Sequence, residues 1–484
     1  MFSILFYKEL LEYIHNYRCI MALLLCVTII PLSFYVNWTD YQARELNHKE
    51  SLRLYEESHK SILDVIQLGG ATFRPPSPLS MLSSGLENIL PNSVETSSDL
   101  ISYLGAQTKF NTNQSLNTPF SFLYGHIDLV FVVSIIMSLI AMLFTYDSVA
   151  GEKERRTLNL IFSNSVSRNI LVLAKISVTI VLLSLLILLG IVIGLFILLI
   201  MGSEIIYNGG LFLRFALCVG ISLLFIFVLI NFGVFISCLN KNSIIAIVSI
   251  MFCWIIWFTV IPKGSVVISK IFYPVKSQQV IDFEKDQIRL QIEKETRKEA
   301  LRIEENMPAI KEMSRSEYFV KLSQGDPNVK NFEEKQAEIK KTFRVKCEAE
   351  LNKIDSYYEN KRNNQAIFAK YVSRLSPVSC FIHLITEMSD TGFLEYEQLK
   401  QTKMRFKHLI DAEISNKAAG AWFGGGGYST FRGDYKAPMP KVEFQRISLA
   451  SVIKNVMPDF ILLVFYGFLF FTGAYVAFLK YDLR

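Results

Sequence analysis

Between two apolar runs, each long enough to cross a bilayer, lies DSVAGEKERRTLNLIFSNSVSRNILVLAK, residues 147–175, where five cations, Lys153, Arg155, Arg156, Arg168 and Lys175, are interleaved with Asp147, Glu152 and Glu154. Side chains of these types at this density do electrostatic work: they hold a loop on one side of a membrane and offer charged contacts to a partner protein. The positive-inside rule weighs short basic loops most heavily, so the segment is expected to face the cytoplasm. Catalysis has no comparable home. No His-Glu-x-x-His, Cys-x-x-Cys, Gly-x-Ser-x-Gly or Walker sequence occurs, and His15, His48, His59, His126, His383 and His408 are scattered. No catalytic, cofactor-binding or metal-ligating residue is expected.

The elements that position this segment follow from hydropathy. Hydrophobic residues make up 51% of the chain and the mean hydropathy is positive, too apolar for a soluble protein of 484 residues. A helical span needs about 20 mainly apolar residues. Six stretches qualify, 18–36, 126–146, 176–201, 211–237, 243–263 and 457–479, and the third has no charge from Ile176 to Met201. Residues 1–17 lack the short basic region and cleavage site of a signal peptide. They read as a retained interfacial helix, with Ile4, Leu5, Tyr7, Leu11 and Ile14 near one face and Lys8, Glu9 and Glu12 on the other. With the N-terminus inside, the tail 480–484 returns to the cytoplasm, and Lys241, Lys480 and Arg484 agree with that orientation. The connections 37–125, 202–210 and 264–456 then lie outside.

The net charge of +6 is spread over loops and exterior segments and calls for no nucleic-acid partner. Residues 37–125 read as a lobe that opens in a helix and turns at Arg74-Pro75-Pro76-Ser77-Pro78. Residues 278–374 predict two long helices forming a hairpin, with Ile339, Phe343, Cys347, Leu351, Ile354 and Tyr358 as a buried stripe on the second. The glycines at 424–427 lack the Gly-Lys-Ser/Thr of a phosphate loop and read as a flexible loop; Trp422, Phe423 and Tyr428 beside it suit either the outer membrane interface or ordinary packing. Cys347 and Cys380 are the exterior cysteines, and both a disulfide and an unpaired buried pair fit the sequence. Asp128, Arg214 and Asp459 lie near span ends, where snorkelling or a local ion pair is expected, and the lack of a midplane carboxylate speaks against a proton-coupled secondary transporter. The expected fold is an all-α polytopic membrane protein: six transmembrane helices, an N-terminal amphipathic helix, and a largely helical exterior domain containing a long hairpin.

The order Asp147, Glu152, Glu154, Thr157, Leu158, Ser167, Arg168 and Lys175 resembles the type-2 ABC exporter permeases, or ABC-2 type transmembrane subunits. Those proteins carry an Asp at the inner end of span two, then Glu-x-Glu-x-Gly-Thr-Leu, a Ser-Arg pair and a Gly-Lys entering span three. Arg156 and Ala174 stand where glycine is usual. The large insertions look similar to a subgroup with big exterior domains. This resemblance implies a non-catalytic subunit of the cell membrane, the bacterial inner membrane, that pairs with a second permease, itself or a related chain, above cytosolic ABC ATPase subunits. ATP and Mg²⁺ would be held by those partners and no cofactor by this chain. It also implies that Asp147, Glu152, Glu154, Arg156, Thr157, Leu158, Arg168 and Lys175 couple the ATPase to export or to mechanical transmission. Acids early and cations late in the segment complement a helix dipole, while Leu158, Ile161 and Phe162 are suited to a groove on the partner. A loop that only sets topology is the plainer alternative. The competing class of function is a membrane-anchored sensor or scaffold whose exterior hairpin binds an envelope protein.

Overall fold

Hydrocarbon offers no partner to a backbone N–H or C=O, so apolar runs of this length close their hydrogen bonds inside helices. The computed structural model describes residues 2–60, 70–87, 89–90, 93–96, 127–158, 162, 167–418 and 442–480. A short helix, α1 (Phe2–Ile14), precedes five helices long and apolar enough to cross a membrane: α2 (Tyr17–Ser58), α3 (Leu129–Glu154), α4 (Arg168–Ile200), α5 (Gly209–Leu239) and α6 (Ser243–Phe272). Then come α7 (Gln278–Glu305), α8 (Arg315–Gln324), α9 (Pro327–Ser373), α10 (Pro377–Met388) and α11 (Phe393–Ala418), before the sixth such helix, α12 (Leu449–Leu479). The chain is an all-α polytopic membrane protein. Its β-structure among the described residues is one antiparallel ribbon, β1 (Gly70–Phe73) and β2 (Ser93–Thr96), with Gly70 opposite Thr96. One end of the bundle carries α1 and the other carries α7–α9; they are called here the α1 face and the hairpin face.

Helix lengths depart from the lengths of the apolar runs. The 42 residues of α2 extend about 63 Å at ~1.5 Å per residue, roughly twice the hydrocarbon thickness. No Gly or Pro interrupts residues 37–58, so the first span and the helix expected to open the 37–125 lobe are a single rod. α6 likewise runs on to Phe272 without a break at 264 and packs along α9. A π-helical turn, Ile256–Val260, precedes Pro262 in α6, and a second one, Val132–Met137, lies in α3. Such turns absorb one extra residue and locally widen the helix.

α3 and α5 are the most buried of the spanning helices and α6 the least. Small residues set the closest approaches, since helices in lipid associate by packing and hydrogen bonds. A Cβ on Gly233 of α5 would sit 1.9 Å from Thr145 Oγ1 of α3, and one on Gly190 of α4 would sit 2.8 Å from the Cys26 carbonyl oxygen of α2. α10 is a correction to the expected layout. Its residues belong to the 264–456 segment assigned wholly to the exterior, yet α10 is buried between α5 and α12, and Phe381 stacks on Phe225, near the middle of α5, at 4.4 Å. At 12 residues it is about 18 Å long, too short to be recognised as a span.

The long hairpin takes the expected form with an extra element at its tip. α7 and α9 run side by side, joined by Lys285–Asp355 at 2.5 Å, Lys346–Glu295 at 2.7 Å and a hydrogen bond from Tyr358 Oη to Glu284 Oε2 at 2.8 Å. Tyr358 is buried and Ile339, Phe343, Cys347, Leu351 and Ile354 are half-buried along the same stripe. At the tip, Gly325 ends α8 in the left-handed region (φ 74°), Asp326 caps the Asn328 N–H at 2.8 Å, and Pro327 occupies the first turn of α9. This is the usual order of a helix stop followed by a helix start. Cys347 and Cys380 are not joined; Cys380 is buried in α10 and Cys347 lies on the hairpin. The loop at 424–427 with Trp422, Phe423 and Tyr428 lies outside the described residues.

At its root the hairpin is riveted to the last span. Arg374, just after α9, donates to both oxygens of Asp459 in α12, at 2.7 and 2.9 Å, and His383 of α10 lies 3.4 Å from the same carboxylate. Asp128 caps α3, accepting from Phe131 N at 2.8 Å and from the Ser84 N–H at 2.8 Å, while Arg214 pairs with Asp390 at 2.5 Å. Each of the three charges thus takes a partner within the protein. Asp459→Asn would leave a half-buried guanidinium without its counter-charge, a change expected to cost about 1.5–3 kcal/mol. Thermal unfolding of the purified protein should show a Tm several degrees lower, with Asp459→Glu intermediate; an unchanged Tm would mean that the rivet bears no load.

Candidate functional site

The helix α4 enters its charge-free run immediately after Lys175, so a buried ammonium there needs carboxylate partners close by. Lys175 is 3% exposed, and its Nζ donates to both oxygens of Glu9 at 3.1 Å and to Glu152 Oε1 at 2.7 Å. All three donors of the ammonium are used. The other oxygen of Glu152 is buried without a hydrogen-bond partner, so the knot is closed on itself. Glu9 comes from α1, Glu152 from the last turn of α3 and Lys175 from the first turns of α4, which fixes the interfacial helix onto two spans. Beside them Tyr13 Oη donates to the Phe144 carbonyl at 3.1 Å, and burial pushes the Tyr13 phenol up to about 12.

The rest of the segment reaches the remaining spans in turn. Asp147 accepts from Arg18 of α2 at 2.9 Å, and the same guanidinium donates to Tyr146 Oη at 2.8 Å. Where α3 loosens, at 146–149, Ser237 of α5 closes the backbone: its Oγ accepts from Val149 N at 3.1 Å and Ala150 N at 3.0 Å and donates to the Tyr146 carbonyl at 2.8 Å. Lys153 donates to the Cys238 carbonyl and to that of Asn240 at 3.2 Å, satisfying acceptors at the C-terminal end of α5, where a cation is favoured. Glu154 accepts from Ser243 N, the first residue of α6, at 3.1 Å, and an acid at that end is favoured for the opposite reason. Arg168 donates to the Leu479 carbonyl, the last of α12, at 2.8 Å, and lies over the Phe162 ring. Residues 147–175 therefore contain the ends of α3 and α4, and their side chains hold α1 and the ends of the other four spanning helices.

Of the residues singled out from the sequence, Glu152 meets Lys175 through its carboxylate, and Thr157 Oγ1 donates to the Glu152 carbonyl at 3.4 Å. Asp147, Glu154 and Arg168 each tie a different helix, Leu158 is buried, and Arg155, Arg156 and Thr157 face outward. Ile161 lies outside the described residues. Glu9 is a second correction. It was grouped with Lys8 and Glu12 on the water face of α1, but it is buried, with Leu5, Leu10 and Tyr13 packed on the core around it, while Ile4, Tyr7, Leu11 and Ile14 are exposed. The apolar stripe of α1 is thus left exposed and a side face carries the ion pair. The missing signal was Lys175 itself, a cation at the mouth of an apolar run that required an acid from elsewhere; Arg18 was found by no pattern at all.

No group of three metal-ligating side chains converges among the described residues. What the arrangement provides is contact: residues of 147–175 touch α1 and several helix ends on the α1 face. Arg156 sharpens the geometry of the exposed turn, because its φ of 56° is the left-handed conformation that glycine adopts freely and other residues enter at a cost of about 1–2 kcal/mol. Arg156→Gly is accordingly expected to be neutral or to raise stability by up to ~1 kcal/mol, and Arg156→Val to lower it, when Tm is measured side by side. A loss of stability in the glycine variant would contradict the turn described.

A family model described as ABC-2 family transporter protein matches residues 4–483, nearly the whole chain. No curated protein matches it. The six spanning helices, the polar segment between the second and third spans and α1 from its third residue are included in the match. Membership in this family makes the chain a permease-type membrane subunit, generally non-catalytic, that associates with an ABC ATPase. The chain belongs to the ABC-2 family of transporter membrane proteins.

Proposed function

We propose that this chain is the membrane subunit through which a separate cytosolic ATPase drives export, or transmits force, across a bacterial inner membrane. The observation that carries the reading is that one polar segment, 147–175, contains the ends of α3 and α4 and contacts α1 and the ends of the other four spans. In this reading the α1 face is cytoplasmic, both termini lie there, and the hairpin face is exterior. The ATPase holds ATP and Mg²⁺ and docks on the outward side chains Arg155, Arg156 and Thr157. Its closure shifts the segment, the Glu9–Lys175–Glu152 knot carries α1, α3 and α4 as one body, and the Lys153 and Glu154 contacts carry the α5–α6 turn. A second permease, the same chain or a relative, completes the pathway.

Movement reaches the hairpin face by two routes that the side chains define. α12 runs from the Arg168 contact at its last residue to the Asp459–Arg374 rivet in its first half. α6 runs from the Glu154 contact to the base of the hairpin, where Gln365 Nε2 donates to the Tyr273 carbonyl at 3.0 Å. The hairpin would therefore tilt when the segment moves, which suits either a gate or a handle for an envelope protein.

The test is coupling in a reconstituted complex with the ATPase. Glu154→Ala removes only the contact to the α6 N-terminus and should leave folding and ATPase binding intact, while membrane-subunit stimulation of hydrolysis drops several-fold. Glu152→Gln keeps the shape but weakens the Lys175 knot and should lower stimulation further. Full stimulation in both variants would refute the coupling role. A chain that co-purifies with no ATPase but with an envelope protein through its hairpin would instead favour the sensor or scaffold reading.

A further inference from the structure

On the hairpin face, five segments meet around buried charge: the outer half of α2, the stretch 74–87 after β1, the outer end of α5, the turn between α10 and α11, and the strand of chain leading into α12. Arg74 is fully buried, and its Nη1 donates to Glu87 Oε2 at 2.6 Å. Glu87 is well served, since its other oxygen accepts from Ser77 N at 3.3 Å with Arg44 of α2 at 3.9 Å. Ser77 Oγ donates to the Ser389 carbonyl at 2.8 Å, Leu86 N to the Thr391 carbonyl at 2.8 Å, and Arg446 Nη2 to the Pro76 carbonyl at 2.8 Å. Arg214 of α5 holds Asp390 at 2.5 Å and the Ile447 carbonyl at 2.9 Å. The stretch 74–87 is thus latched to the α10–α11 turn and to the lead into α12.

Glu395, in the first turn of α11, is the carboxylate of this cluster that the geometry leaves unserved, and Arg74 Nε and Nη2, Arg44 Nη1 and Arg446 Nε are likewise buried without a hydrogen-bond partner. It is 2% exposed, and its Oε1 accepts no hydrogen bond. The nearest cation, Arg74 Nη1, lies 3.6 Å away and is already directed at Glu87. The charged groups facing it from the packed elements are Arg74 and Glu87 on 74–87, Asp390 on the turn, Arg446 before α12, Arg214 on α5, and Arg44 with His48 on α2. A carboxylate oxygen buried without a hydrogen bond disfavours the charged form against the neutral one.

We propose that Glu395 is a proton-operated latch: with a proton on its carboxyl the 74–87 stretch stays closed on α11, and loss of that proton loosens the closure. Once ionised, Glu395 competes with Glu87 for Arg74 and draws water into the joint. The proton is exchanged with bulk water on the hairpin face, and no other reactant is needed. Burial, aided by the charges of Asp390 and Glu87 and opposed by Arg74, pushes the Glu395 carboxyl up to about 7. A carboxyl raised in this way stabilises the closed form fully below the ordinary carboxylate range, and the contribution is lost as pH rises through about 7.

The latch rests on the geometry of this joint and is independent of the coupling reading. Hydrogen exchange of the full chain in nanodiscs, corrected for intrinsic rates, should show residues 70–87 about ten-fold better protected at about pH 6 than at about pH 8. Glu395→Gln, an isosteric neutral side chain, should keep the high protection at both values. Equal wild-type protection at both values overturns the proposal, and so does a pH dependence that survives in the glutamine variant, which would assign it to His48. The wild-type titration decides alone if the variant fails to fold.

Discussion

An ammonium at the mouth of an apolar helix is tolerable only with carboxylates brought to it, and Lys175 obtains two from separate helices. That requirement binds α1, α3 and α4 into one body at the α1 face. Much of what surrounds it follows. α1 must present Glu9 inward, which leaves its Ile4, Tyr7, Leu11 and Ile14 stripe exposed. The end of α3 must return to α4, so the turn at 146–149 needs the Ser237 hydroxyl to satisfy its backbone.

The two faces use charge differently. On the α1 face the pairs are spread along one short segment and each reaches a different helix end, often through a backbone carbonyl or N–H that a helix terminus leaves unmet. Such contacts let one segment grip many helices without a large apolar interface. On the hairpin face charge is gathered at two joints, the Arg374–Asp459 rivet and the Arg74–Glu87–Glu395 cluster, which lock loops and inserted helices onto the span ends. Between the faces the packing is apolar, with Gly190 and Gly233 permitting close backbone contact.

Hydropathy made the six spans and the hairpin stripe legible, because both depend on the local period and length of apolar residues. The continuity of α2 was less visible, since its outer half is polar and was read apart from the apolar half although no helix breaker divides them. α10 was hidden for another reason. Its burial depends on two long helices leaving room for it, and nothing in twelve residues announces that. Within the polar segment, residue types and order were readable, and so was the departure at Arg156, whose left-handed backbone accounts for the usual glycine.

What the sequence alone determined is what proximity along the chain determines: membrane class, span number, the basic segment, and the residues on it that carry charge. The tertiary structure decided which charges meet. Glu9 and Lys175 are 166 positions apart, and Arg374 and Asp459 are 85 apart. Coulombic pairing depends on distance in space and on how much water the fold excludes, neither of which sequence spacing encodes. The same acidic side chain is a solvated ornament on one helix face and the centre of a knot on the next, and only packing separates the two.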